Sequence, residues 1–242
     1  MKKVVLKRKH KPVRSINVDK TIAVSKEKSQ FAQTEAFRQL RTNIEYASYE
    51  KDIKVVNIVS ANASEGKSTV AANLALISTA KYDKVLLIDC DLRKPRQHKI
   101  FKVSNREGLT DIVKKDADIL DSEYFTKVHY EDFEGSLYLL TSGMSIPNPQ
   151  EMLGSERFGR LLEKCKEVFD FIIIDCPPIH AVADAIPISN VCDGTVFVLS
   201  AKDTDKHSAK SALELLQRAN ANILGTVLNR TDGKEGYYYR GY

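Results

Sequence analysis

The sequence predicts a single α/β domain: a mostly parallel sheet covered by helices on both faces. Three observations predict it. Apolar runs such as Val55-Val56-Asn57-Ile58-Val59, Val85-Leu86-Leu87-Ile88 and Phe171-Ile172-Ile173-Ile174 are continuous rather than alternating, as in strands buried on both faces. Helical stretches separate them, the order that builds a parallel sheet. Between the first of these strands and its helix lies Ser60-Ala61-Asn62-Ala63-Ser64-Glu65-Gly66-Lys67-Ser68-Thr69, a tight loop whose Gly-Lys-Ser opens a helix.

The elements follow in order. Residues 1–30 read as a polar arm, basic at its start: Lys2, Lys3, Lys7, Arg8, Lys9, Lys11 and Arg14 precede the first acid, Asp19. Residues 31–50 read as a helix, because Phe37, Leu40 and Ile44 are spaced for one face. Glu35, Arg38 and Arg41 fall at steps of three on a neighbouring side, where intrahelical pairing is worth only about 0.2–0.5 kcal/mol. The core alternates strand 54–59, helix 67–80 and strand 85–89. Residues 95–135 are less regular, with a short helix around Leu109–Lys115. Strand Leu137–Thr141 precedes the loop 142–149, helix 150–168 and strand 171–175. Helix 182–191, strand Thr195–Ser200, helix 205–219 and strand Ile223–Leu228 complete the domain, which spans 31–230. Residues 231–242 form a tail with Gly233 and Gly236 as hinges and Tyr237, Tyr238, Tyr239 and Tyr242 beyond them. Flexible tails are normally poor in aromatic residues, so these rings either serve a function or pack onto a surface.

The loop carries the chemistry. Strand, loop and helix-opening Gly66-Lys67-Ser68 are the context of a phosphate-binding loop, and assign the sheet to the P-loop NTPase type. Glycine admits backbone N–H groups close to a phosphate, and a helix start favours an anion. Lys67 would reach the β- and γ-phosphates and Ser68 would ligate Mg²⁺. Ala61 stands where such loops usually carry their first glycine. Two strands end in carboxylates, at Asp89-Cys90-Asp91 and at Asp175. Ligands bind beyond the carboxyl ends of parallel strands, so Asp89, Asp91 and Asp175 should converge beside the loop. Buried carboxylates need a cation or strong donors, and ATP-bound Mg²⁺ accepts one or two of them with phosphate and water.

Composition excludes other classes. The 242 residues are 43% hydrophobic and 29% charged, with a net charge of +5. This suffices for a substantial core. No apolar run approaches the roughly 20 residues of a membrane span, and the basic start lacks a signal-peptide core, so a cytoplasmic location is expected. Cys90, Cys165, Cys176 and Cys192 form no CxxC pair and are expected as reduced thiols. The basic arm suits a nucleic acid, an anionic membrane face, an acidic partner or nothing dedicated. No nucleic-acid-binding module is recognised.

Taken together, these motifs resemble the bacterial tyrosine kinases, specifically the separate cytoplasmic kinases of Gram-positive capsule or exopolysaccharide systems. The resemblance runs from about Phe31 to Tyr242. It is carried by Glu65-Gly66-Lys67-Ser68-Thr69, Leu87-Ile88-Asp89-Cys90-Asp91-Leu92-Arg93, Ile174-Asp175-Cys176-Pro177-Pro178, Glu35-x-x-Arg38-x-x-Arg41, Pro147-Asn148-Pro149-Gln150-Glu151-Met152-Leu153 and the terminal tyrosines. It implies ATP- and Mg²⁺-dependent tyrosine autophosphorylation. Ser64 to Thr69 would hold ATP, with Asn229 and Arg230 near the base. Ser68, Asp89 and Asp175 would serve the metal, and Asp91 would face the incoming hydroxyl. Glu35, Arg38 and Arg41, on a helix near 34–49, would join subunits into a ring, in which Tyr237, Tyr238, Tyr239 and Tyr242 are phosphorylated in trans. The implied partners are the cytoplasmic tail of a membrane chain-length regulator, which recruits and activates the kinase, a tyrosine phosphatase and other tyrosine-containing proteins. No nucleic acid is expected. The role is control of polysaccharide synthesis and export.

Two other readings compete. Partitioning and septum-site ATPases of the same superfamily act as dimer switches and carry a second lysine five residues before the conserved one. That position is Asn62 here. A non-catalytic adaptor conflicts with the intact set of Lys67, Ser68 and aspartates.

Overall fold

The computed structural model describes residues 13–17, 28–49, 51–115, 122–129, 134–181 and 184–231. Most of the N-terminal arm and the tail from Asp232 onward, with all four terminal tyrosines, lie outside the described residues.

Helix α1 (Lys28–Ala47) precedes strand β2 (Val55–Ser60), helix α2 (Lys67–Ser78) and strand β3 (Lys84–Asp89). Short helices α3 (Gln97–Ile100) and α4 (Leu109–Lys115) lead through a 3-10 turn to β4 (Phe125–His129) and β5 (Ser136–Leu140). Helices α5 (Pro149–Leu153) and α6 (Glu156–Val168), strand β6 (Phe171–Asp175) and helix α7 (Ala185–Val191) follow. Strand β7 (Gly194–Ser200), helix α8 (Lys206–Arg218) and strand β8 (Ile223–Asn229) end the domain. With β1 (Arg14–Asn17) the described strands form one sheet ordered β1-β4-β5-β3-β6-β2-β7-β8.

The predicted P-loop NTPase-type sheet is present and mostly parallel; β4 against β5 is the antiparallel pair among the described strands. Successive residues of the central strands alternate between two cores, one on each face. Leu86, Ile88, Ile172 and Ile174 enter one, and Val85, Leu87, Phe171 and Ile173 the other. This explains their uninterrupted apolar character. Helix α2 lies between the sheet and α1, and every residue of it but Thr69 is buried, as a helix apolar all round should be.

Four expectations need correction. Arg14–Asn17 is not free arm but a short strand, paired in parallel with β4. Residues 95–135 contain α3 and β4, and β4 is half-buried rather than continuously apolar. Helix 150–168 is two helices, because Gly154 ends the first and the Ser155 hydroxyl caps the second, accepting from Phe158 N. Helix 182–191 begins at Ala185, with Val182 and Ala183 outside the described residues.

Candidate active site

Strand β2 delivers the chain to the loop, and α2 leaves it at Lys67. Gly66 has φ +97°, a left-handed conformation, and a Cβ there would sit 2.0 Å from Asn229 Nδ2. The left-handed φ favours glycine, and a side chain there would also have to displace the Asn229 amide. Asn229 Nδ2 in turn donates to the Glu65 carbonyl at 3.0 Å. The Glu65 carboxylate is turned inward, 1% exposed. It accepts from Asn62 N at 2.9 Å, Asn62 Nδ2 at 3.2 Å and Thr204 Oγ1 at 2.5 Å. Asn62 also donates to Ser208 Oγ at 2.8 Å, which ties the loop to the start of α8. The loop is therefore braced from behind by neutral donors. No side chain caps the first turn of α2, so its free N–H groups remain for an anion.

The carboxylates arrive on neighbouring strands. Asp89 and Asp175 are register partners between β3 and β6, and Asp91 lies two residues further on. Lys67 Nζ donates to Asp91 Oδ2 at 2.9 Å, to Asp175 Oδ1 at 3.3 Å and to Ser68 Oγ at 3.2 Å. Gln97 Nε2 donates to Asp175 Oδ2 at 2.8 Å and to the Ser68 carbonyl at 3.0 Å. Asp89 accepts from three backbone N–H groups, those of Asp91, Arg96 and Gln97, at 3.2, 3.0 and 2.9 Å.

Burial dominates the electrostatics. Full burial, and then the neighbouring Asp175, push the Asp89 carboxyl up to about 8 against the pull of the Gln97 N–H and Lys67. Burial alone would lower Lys67, but Asp175 and Asp91 outweigh it and hold the ammonium above its ordinary value. One lysine faces three buried aspartates, so the cluster lacks positive charge, which is costly away from water. Among the described residues no His, Cys, Asp and Glu group forms a metal cage. Mg²⁺ does not need one: it binds through one or two carboxylates plus phosphate and water. The Ser68 hydroxyl with Asp89 and Asp175 fits a Mg²⁺ that arrives with a nucleotide.

A cavity of about 540 Å³ opens beside this cluster. Ser64, Gly66, Lys67, Ser68, Thr69 and Arg230 line it on the loop side, and Asp91 closes one wall. Of the residues expected at the nucleotide, Glu65 and Asn229 stand behind the loop and brace it instead of lining the cavity. Arg230 pairs with Asp203. Glu35, Arg38 and Arg41 lie on α1, away from the cavity. Arg38 pairs with Glu35, whereas Arg41 turns toward the body, donating to the Ile77 carbonyl at 3.1 Å and pairing with Glu45 at 3.1 Å.

Gln97, which positions Asp175, was missed, because it lies in the stretch read as irregular. The basic rim of the cavity, made by Arg93, Lys94, Arg96 and Lys99, was also missed. Its signal was legible as a cationic run directly after an acidic strand end.

The model of the AAA domain matches residues 53–219. Tyrosine-protein kinase YwqD of Bacillus subtilis is 40% identical over 221 residues, 90% of each chain. The crystal structure of the chimerical protein CapA2B2 is 34% identical, with a TM-score of 0.76 over 91% of this chain and 94% of that one. The kinase domain of the Escherichia coli tyrosine kinase ETK is 29% identical, with a TM-score of 0.72 over 85% of this chain and 80% of that one. The septum-site-determining protein MinD of Pyrococcus horikoshii, at 23% identity and a TM-score of 0.57 over 74% of this chain and 72% of that one, shares the fold alone.

Proposed function

The chain belongs to the bacterial tyrosine-protein kinases, and on that premise we propose that it is an ATP- and Mg²⁺-dependent autokinase whose acceptors are Tyr237, Tyr238, Tyr239 and Tyr242. The observation that carries this reading is Lys67 Nζ, held between Asp91 and Asp175 at the wall of the cavity. Phosphoryl transfer is mostly positioning and charge neutralisation. Lys67 and the N–H groups that open α2 bind and orient the phosphates. Bound through Ser68, Asp89 and Asp175, Mg²⁺ would neutralise charge on the phosphates. To reach a phosphate, Lys67 must leave Asp91. That frees a carboxylate on the cavity wall to accept the tyrosine proton, which a phenol of pKa near 10 does not readily give up unaided.

The acceptors lie beyond β8, whose C-terminal end is on the same sheet edge as the loop. From Gly233 to Tyr242 an extended chain covers at most about 35 Å. That reach suffices for a neighbouring copy, and on this reading transfer occurs in trans, within a ring joined through α1. Each phosphate adds about −1.5 to −2 charge, so repulsion among modified tails loosens the ring and a phosphatase resets it. The cellular setting is polysaccharide synthesis and export, with the kinase held at the membrane by the cytoplasmic tail of a chain-length regulator. Among the described residues no helix is long and apolar enough to cross a membrane itself.

The test mixes a Lys67→Met protein with an intact tail and an active protein lacking residues 237–242. Phosphate on the inactive partner is expected. Its absence, when the two proteins co-assemble, overturns the trans reaction. A dimer-switch ATPase has no comparable support, because Asn62 occupies the position of the second lysine and is spent on Glu65 and Ser208.

A further inference from the structure

Among the described tyrosines, Tyr82 and Tyr138 are half-buried and Tyr124 is 6% exposed. Tyr46 and Tyr49 differ: they are 65% and 85% exposed, with ring centroids 6.2 Å apart at the C-terminal end of α1. An exposed phenol at the end of a helix is what a kinase that takes a tyrosine into a cavity requires. In sequence Glu50 and Asp52 flank the single Lys51 just beyond Tyr49, a net acidic stretch, while Glu45 is already paired with Arg41 and Lys81. The rim of the cavity is the complement, with Arg93, Lys94, Arg96 and Lys99. Opposite charges at a docking site speed encounter and fix register.

We propose that Tyr46 and Tyr49 form a second phosphoacceptor site, independent of the tail and modified only by another copy of this chain. The inference rests on the kinase reading above. The intermolecular requirement comes from geometry. Arg41 reaches the Ile77 carbonyl at 3.1 Å, and Lys81 pairs with Glu45 at 3.1 Å. These contacts dock the end of α1 that bears the tyrosines against the far end of α2, whose other end is Lys67. The 12 residues of α2 span about 18 Å, and both tyrosines sit on packed structure that cannot swing across that distance. In the transfer, the phenolic oxygen of one copy bonds to the γ-phosphorus of ATP on another. The bond to the β–γ bridging oxygen breaks, ADP leaves with the electron pair, and the phenolic proton passes to Asp91. The added charge lands at a helix C-terminus beside Glu45, where the helix dipole opposes it.

Trypsin releases this site as one peptide, Thr42–Lys51, separate from the tail. The full chain is incubated with ATP and Mg²⁺ and mapped by mass spectrometry, alongside a variant carrying Tyr237→Phe, Tyr238→Phe, Tyr239→Phe and Tyr242→Phe. We expect phosphate on Thr42–Lys51 in both proteins. We also expect it on an isotope-labelled Lys67→Met copy mixed with unlabelled active protein. Adding Tyr46→Phe and Tyr49→Phe to the tail variant should remove most of its remaining phosphotyrosine. The same two changes in the otherwise native chain should leave tail phosphorylation intact. An unmodified Thr42–Lys51 peptide in a protein whose tail is phosphorylated overturns this inference and leaves the kinase reading standing. An unmodified tail as well defeats both.

Discussion

Two groups of ion pairs differ in what surrounds them. On the cavity wall, Lys67 meets Asp91 and Asp175 with side chains at most 8% exposed. On α1, Arg38 meets Glu35 with side chains 45% and 42% exposed, and Arg41 meets Glu45 with both near 20%. A buried pair is poor at stabilising a fold, because desolvation offsets the attraction, while removing one partner costs about 3–5 kcal/mol. An exposed pair is worth about 0–1 kcal/mol. Neither group is well explained by stability. On the proposed reading, the buried group is a charge imbalance that a metal-bound nucleotide would relieve, and the exposed group would offer a face to another subunit.

The largest expected effect breaks the buried group. Lys67→Met should abolish phosphotyrosine formation, read by mass spectrometry of the tail, because the cation aimed at the transferring phosphate is lost. The fold should survive, because the change leaves the pairing of β3 with β6 in place, and the far-UV circular dichroism of the variant should match that of the parent. Persistent autophosphorylation would remove Lys67 from the site.

The aspartates should divide by role. Asp175→Asn should weaken Mg²⁺-dependent nucleotide binding in calorimetry, because Asp175 is the carboxylate that Gln97 and Lys67 position. Asp91→Asn should slow transfer more than it weakens binding. Equal loss of binding in both variants would place Asp91 on the metal as well.

These roles were unevenly legible. Gly66-Lys67-Ser68 and the aspartates that end β3 and β6 are local patterns, and two-sided burial leaves an unmistakable apolar run. β1 was not legible, because Arg14-Ser15-Ile16-Asn17 is short and polar and becomes a strand only through its pairing with β4. Gln97 and the inward turn of Glu65 depend on partners 78 and 139 residues away, which no window of sequence contains.

A smaller effect concerns pH in the nucleotide-free protein. The folded-state value of Asp89, about 8, lies above the ordinary aspartate value of 3.8. The folded chain thus holds a proton that the unfolded chain releases. Stability from this group is complete below about pH 3.8 and falls as pH rises toward 8, then levels off. Asp89→Asn should remove that part of the slope, so that the variant melts above the parent at pH 8.5 in the presence of a chelator. Parallel stability curves for the two proteins between pH 5 and 8.5 would show that the carboxylate is already ionised at neutral pH.

The smallest effects on the isolated chain come from α1, and there the two arginines should separate. Arg41 is half-buried and holds the last turn of α2 through the Ile77 carbonyl, so Arg41→Ala should cost about 1–2 kcal/mol in denaturant unfolding. Arg38 and Glu35 pair with each other on the exposed face of α1. Their joint replacement by alanine should change stability by no more than about 0.5 kcal/mol. If this face joins subunits, that nearly silent pair of changes should still convert an assembly to monomers in analytical ultracentrifugation, because the same charges then meet a neighbour in a less hydrated setting. Arg41→Ala would dissociate the assembly only in proportion to the helix it loosens. Should the Glu35→Ala, Arg38→Ala protein assemble as the parent does while Arg41→Ala does not, the residue at the interface is Arg41, and its contact with Ile77 is the form it takes in a free subunit.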